Sequence, residues 1–388
     1  MTRLQTVLKS ALLAAASVAA IGAVRADVLF SLPDVRGDDF GNGALIYPNR
    51  DDITRGDLDL VSLSVEQRAD GIWFVAEMGQ AIRSPVGKVT EIGQNPMDRI
   101  ARNGFYTFNI DIYIDKDRII GSGQTGTVPG RNVTVDRAFA WEKCIVLTPR
   151  PDIARTMLLM YFDDVLEADL RSRKGRVSEE DVDVLQTESS TKADALFFFP
   201  NKVRVNGRRI EFQVPTDFLG GVPQKSWGYT AIVTGADLDK PSRPGQLGSD
   251  KQEMLTMGVA RGIRFSQWGI RSDADEATPP VIDLLSPDPS VQKNALSNYD
   301  MVVHRLAAVP GVAPDGNVAV AGTGEEPPPD ELSRITLVPP TLATAGAKAP
   351  AERRSVPARL RTLNELLAEG LITQAEYNDM RRKILAEL

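Results

Sequence analysis

Residues 105–114 read FYTFNIDIYI. Tyr106, Phe108, Ile110, Ile112 and Ile114 are all apolar, while Phe105, Thr107, Asn109, Asp111 and Tyr113 are mixed. A period of two is the signature of a strand, whose side chains point alternately to opposite faces. The apolar set predicts one face against a core. The mixed set predicts the other face towards water, as in a half-buried sheet.

Working outward, further strand-like runs occur at 61–65, 71–77, 144–147, 195–199, 202–205, 210–214, 229–234 and 261–268. Asp70-Gly71 marks a turn before the second run. Asn206-Gly207, between VRV and RIEFQV, is a strong hairpin signal. Short strands separated by turns predict a mainly-β chain, an antiparallel sandwich or barrel. Residues 165–193 are polar with little periodicity, which predicts a mobile excursion or short helices.

The ends have a different character. Residues 1–26 carry Arg3 and Lys9, an Ala-rich apolar run over 11–24, and an Ala23/Ala26 pair. That is the pattern of a secretory signal, with Asp27 as the mature start and no transmembrane anchor after cleavage. A periplasmic or secreted protein is expected. Residues 306–356, rich in Pro, Ala, Gly and Thr, predict a disordered linker. In 357–388, Leu360, Leu363, Leu366 and Leu367 fall at helical spacing. Gly370 is a stop signal, and Thr373 with Glu376 forms a capping box. The central unit is then 27–305.

The net charge is −7, and the signal segment removes only basic residues. An acidic chain excludes nucleic acid as a partner. Cys144 is the sole cysteine and cannot form an internal disulfide; in WEKCIVL it reads as a buried small hydrophobe. One histidine and one cysteine, far apart, give no support for triad or zinc chemistry. The expectation is a protein that is not an enzyme.

Residues 32–60, LPDVRGDDFGNGALIYPNRDDITRGDLDL, gather acids among glycines. A turn-rich loop of this composition can bring carboxylates around a hard cation such as Ca²⁺, which takes six to eight oxygens. Asp34, Asp38, Asp39, Asp57 and Asp59 are the candidate ligands. Asp115 and Asp117 make a weaker second group. Asp and Gly also build turns without a cation, so both readings stand. For a sugar, aromatic faces and polar neighbours are needed. Trp268, at a strand-to-loop edge, leads Tyr47 and Trp227, with Arg131 and Asn132 as polar contacts. Trp73, Trp141 and Tyr229 are further rings, and Gln267 lies beside Trp268. Aromatics in strands are more often core.

The same residues carry a resemblance. Pro33, Gly37, Asp38, Asp39, Gly41, Gly43, Tyr47, Pro48, Gly56, Asp59 and Leu60 resemble the opening of the glucodextranase C-terminal domain, a DOMON-like, carbohydrate-module-like β-sandwich. NIDIYIDKD (109–117), VPGRN (128–132), WGYTAIVT (227–234) and PPVIDLL (279–285) resemble its later blocks, in order. The resemblance implies a jelly-roll or DOMON-like sandwich with a binding or structural role and no catalysis; the leading expectation is binding of glycan or envelope polysaccharide, with the acid-rich loop as the candidate site of a structural Ca²⁺. The alternatives are an envelope assembly factor that binds protein, and a haem-bearing electron carrier using His304, Met78 or Met257. The tail resembles the short C-terminal domain, SHOCT. That resemblance implies a helical hairpin for self-association or partner docking, with Leu360, Leu363, Leu367, Ile384 and Leu388 as its apolar stripe.

Overall fold

The computed structural model describes residues 26–90, 94–174, 179–238, 254–262, 267–271, 277–322, 326–332 and 334–335. Residues 1–25 of the expected signal segment and the residues of the expected apolar stripe, 360–388, lie outside the described residues. In chain order the strands are β1 (Asp27–Pro33), β2 (Leu45–Ile46), β3 (Leu60–Arg68), β4 (Gly71–Met78), β5 (Phe108–Asp115), β6 (Val133–Val135), β7 (Lys143–Leu147) and β8 (Phe197–Phe198). They continue as β9 (Val203–Asn206), β10 (Arg209–Val214), β11 (Gly228–Gly235), β12 (Val259–Arg261), β13 (Trp268–Ile270), β14 (Val281–Leu284) and β15 (Ala307–Val309). The longer helices are α1 (Pro151–Lys174), α2 (Glu179–Leu196) and α3 (Pro289–Ser297).

Two five-stranded sheets build the sandwich, with orders β1-β3-β4-β10-β9 and β14-β11-β5-β7-β8. All their pairings are antiparallel except β7 with β8. The even-numbered residues of β5, Phe108, Ile110, Ile112 and Ile114, meet Leu63, Val65, Phe74 and Phe212 of the first sheet in one core. The mainly-β antiparallel sandwich is therefore as expected. The hairpin signal also holds. Asn206 pairs with Arg209, and Gly207 takes the positive φ of 59° that a tight hairpin loop needs.

β5 is not half-buried. Every residue of it is buried on both faces. Two things cover the second face: the 254–256 segment with Arg131, over Asn109 and Asp111, and the helices α1 and α2, which occupy much of the stretch expected to hold a mobile excursion or short helices. In α1, buried Ala154, Met157, Leu158 and Phe162 recur at helical spacing. They pack with Tyr113, Trp141, Cys144 and Val146 on the second face of the second sheet. The remaining turns of α1 are polar, which dilutes this stripe over the whole segment. Arg155 pairs with Asp194 at 2.7 Å and ties the two helices together.

The chain also does not leave the sandwich at 306. β15 pairs in parallel with β6, Val312 bridges Tyr229, and Val320 bridges Ile119. Further along, the Leu332 carbonyl accepts from Thr125 Oγ1 at 2.7 Å, and Ile335 is buried. The small, β-branched residues of 307–320 suit an extended strap as well as a linker, which is why composition alone misreads them.

Candidate functional site

Asp34 follows β1, Asp59 precedes β3, Asp283 lies within β14, and Asp38 sits on the turn after β1. Sheet pairing thus delivers carboxylates from distant sequence to one edge of the sandwich. Asp38, Asp59 and Asp283 each place an oxygen within 4.8 Å of the others. Asp283 is fully buried and reaches the first sheet, where its Oδ2 accepts from the Leu60 N–H at 2.6 Å. Asp34 Oδ1 accepts from Ser286 N at 2.8 Å and Val35 N at 2.9 Å; Asp59 Oδ1 accepts from Gly37 N at 2.9 Å. Asp34 Oδ2 and Asp38 Oδ1 are buried with no hydrogen-bond partner. Gln292 of α3 holds the turn from beneath, donating to the Asp38 and Gly41 carbonyls.

Burial and mutual repulsion raise these acids. Desolvation pushes Asp34 up to about 8 and Asp38 up to about 6, helped by the Asp59 charge. Burial also raises Asp59, and it raises Asp283 well above the carboxylate range, reinforced by Asp34 and Asp38. Arg36, whose charge acts on Asp59, donates to the Gly79 carbonyl at 3.3 Å. Gly79 is required there, because a Cβ would overlap Asp59 Oδ2. Buried carboxylates with unpartnered oxygens, all hard donors, suit Ca²⁺.

The other expected ligands have different work. Asp39 Oδ2 accepts from the Tyr47 hydroxyl and from Gly56 N at 2.6 Å. Asp57 accepts from Thr54 N at 2.7 Å and pairs with Arg83 at 3.1 Å. These two fix the loop from which Asp38 and Asp59 project. Asp283 is not among the acids singled out from the sequence, although an acid in the middle of VIDLL must be buried with its strand.

Residues 29–311 match the model of the SLH-like C-terminal binding module of glucodextranase. The chain belongs to this family. Residues 358–385 match the short C-terminal domain, SHOCT. No curated protein matches the chain. The glucodextranase-type module thus runs past 305 and includes β15, in agreement with the pairing to β6.

Within this module the expected sugar contacts are mostly interior. Trp268 is fully buried, edge-on to Tyr47 at 4.9 Å, so it has no face for a ring. Tyr47 is half-buried and latched to Asp39. Trp227 is 7 % exposed, with Lys116 Nζ 5.2 Å from its ring centre. Trp73, Trp141 and Tyr229 are buried too. Arg131 is buried in an ion pair with Asp111 at 2.6 Å and also donates to the Met254 carbonyl. Asn132 is exposed at φ 53°, and Gln267 is half-buried. Different neighbours bury these rings: Tyr229 lies in the doubly covered second sheet, Trp268, in a three-stranded sheet, packs on Tyr47, and Trp73, in the first sheet, is covered by Arg68, Lys202 and Arg204. Phe40, half-buried beside Asp39 with the Arg55 guanidinium 5.6 Å from its ring, is the aromatic nearest in sequence to the acids.

His304 lies exposed in a turn, while Met78 and Met257 are packed in the core. Cys144 is free and buried, as expected. Among the described residues no helix is long and apolar enough to cross a membrane.

Proposed function

We propose that this chain is an exported, non-catalytic binding module that holds Ca²⁺ and engages a glycan of the cell envelope. The observation that carries the calcium reading is the Asp38–Asp59–Asp283 cluster with Asp34 beside it. Its unpartnered, buried oxygens gain a counter-charge from a divalent ion. The glycan reading rests on membership of a binding-module family. Asp38, on the turn after β1, would order that turn on loading, and with it Phe40 and Arg55.

A glycan array of the full chain, with and without chelator, tests both parts. Binding that disappears with chelator supports a calcium-ordered glycan site. Binding indifferent to chelator detaches the sugar from the metal. An array with no hits favours the second reading, an envelope factor that binds protein. That reading has its own support in the 300–305 turn, where Val302 is 90 % exposed between Met301 and Val303, both also exposed.

The C-terminal segment is assigned to self-association. A hairpin of about 30 residues is too small to bury a core alone. Removing 357–388 should reduce the mass in light scattering while leaving the thermal midpoint of the module unchanged. An unchanged mass would mean that the segment serves another partner.

A further inference from the structure

The helix-facing side of the second sheet changes character along its length. At one end it is apolar, with Tyr113, Cys144, Val146 and Ile232. At the other, strand alternation puts Thr107, Asn109, Thr148 and Thr234 on that same face. Asn109 pairs with Thr234 across the β5–β11 register. Leu147 pairs with Ile110, so Thr148 comes next to Asn109. Thr107 and Thr148 are each 1 % exposed, and Asn109 is 0 % exposed. Thr107 Oγ1, Thr148 Oγ1 and Asn109 Oδ1 all lack a hydrogen-bond partner. Asn109 spends its amide N–H groups on Thr234 Oγ1 and the Leu255 carbonyl, so its oxygen stays free to accept. Unmade bonds at three buried polar atoms are costly, and native structures rarely carry them together.

Two residues past Thr148 stands Arg150. Its carbonyl accepts from Ala154 N at 3.0 Å, so Arg150 opens α1. The guanidinium donates to the Leu238 carbonyl at 3.5 Å. Leu238 lies two residues beyond Ala236, whose N–H is held by the Thr107 carbonyl at 2.9 Å. This brings Arg150 to the polar end of the face. Arg150 is half-buried and has no carboxylate partner among the described residues; burial lowers its pKa. Asp237, the buried acid on this strand end, has an interaction of its own. The start of α1, a 24-residue helix, adds its positive dipole end to the same place.

We propose that Arg150, Thr148 and Thr107, at the start of α1, form an oxyanion site for a carboxylate or phosphate group. In this proposal the guanidinium supplies paired donors, the two unpartnered threonine hydroxyls supply further ones, and Asn109 Oδ1 accepts from a hydroxyl of the ligand. An acidic sugar offers both a carboxylate and hydroxyl donors; free phosphate offers the same oxyanion chemistry. The site goes beyond the calcium reading. It lies on the opposite face of the second sheet from the contact that Asp283 makes.

Isothermal titration of the full chain with inorganic phosphate, glucuronate and neutral glucose tests it. Saturable binding of both anions and none of glucose is expected. A preference for glucuronate assigns the acidic sugar, and a preference for phosphate assigns the free ion. Arg150→Gln should weaken both at least tenfold. Arg150→Lys, which keeps the charge, should lose part of that, and Thr148→Val should weaken binding severalfold without lowering the thermal midpoint. Chelator should have no effect, which separates this site from the calcium cluster. Absence of saturable heat with either anion overturns the proposal. So does an Arg150→Gln protein that is folded by circular dichroism and binds as wild type does.

Discussion

Two acidic clusters of the same size sit at different ends of this molecule's strands, and they neutralise themselves in opposite ways. Asp38, Asp59 and Asp283 converge with no guanidinium hydrogen-bonded to them among the described residues; Arg36 acts on Asp59 through its charge alone. Asp115, Asp117 and Glu142 also converge within 4.8 Å, yet Arg118 is inserted beside them. Arg118 donates from Nη1 to Asp115 Oδ2 at 2.9 Å and from its backbone N to Oδ1 at 2.7 Å. It also donates to the Ala138 and Asn317 carbonyls and lies 4.2 Å from the Phe139 ring centre. Desolvation still raises Glu142 to about 8, and one of its oxygens is unpartnered. The second cluster therefore carries a built-in cation for Asp115, while the first looks to solution for one. Counting acids in a sequence does not separate these cases; the position of one arginine does.

The largest expected effect comes from removing that arginine. Arg118→Met keeps bulk over Phe139 but leaves the Asp115 carboxylate buried and unpaired. Breaking a buried pair from one side costs roughly 3–5 kcal/mol. Urea unfolding would show it, and a loss under about 1 kcal/mol would mean that the two clusters are alike. Next in size is calcium on wild type. A ligand that binds only the folded state adds about 2.7 kcal/mol at a hundredfold excess over Kd. The thermal midpoint should rise with Ca²⁺ and fall with chelator, and Asp38→Asn should remove the response. A flat midpoint in wild type would reduce the first cluster to turn chemistry.

Acidity sharpens the comparison further. Without metal, Asp38 and Asp34 hold protons in the folded state up to about pH 6 and about pH 8. The unfolded chain releases them near pH 4. The folded state thus binds more protons across that window, so stability is greatest on the acid side and falls as pH rises towards 8. Calcium should flatten or reverse the slope, measured as midpoint against pH in paired samples. The smallest effect is expected at Arg83→Ala. Arg83 is 41 % exposed and pairs with Asp57 outside the cluster, so the change should cost less than about 1 kcal/mol and leave the calcium response intact. A lost response would return Asp57 to the ligand set.

Much of the sandwich was legible because alternation is a local property. FYTFNIDIYI gave the inner face of β5 directly, and Asn206-Gly207 gave a hairpin. The second face was not legible, since nothing in β5 says that a helix will cover it. Asn109 and Asp111 look like solvent residues until Leu255 and Arg131, distant in sequence, are in place over them. The site was half legible for the same reason. Asp34, Asp38 and Asp59 share one stretch, whereas Asp283 arrives only through the pairing of β14 with β11. Trp268 and Arg131 were misjudged together: large amphipathic side chains next to turns resemble ligand contacts, and here both are interior.

The strap after β15 has a mechanical consequence. Its attachments follow one another along the chain: the β6 pairing, the Val312 bridge, the Val320 bridge, then the Thr125 contact with Leu332. A load applied beyond residue 335 would meet the Leu332 contact first, then the Val320 bridge, and only then the Val312 bridge to Tyr229, the first of them to engage a strand of the sandwich. In that order the strap would release length in small steps, as a shock absorber does, before tension reaches β11.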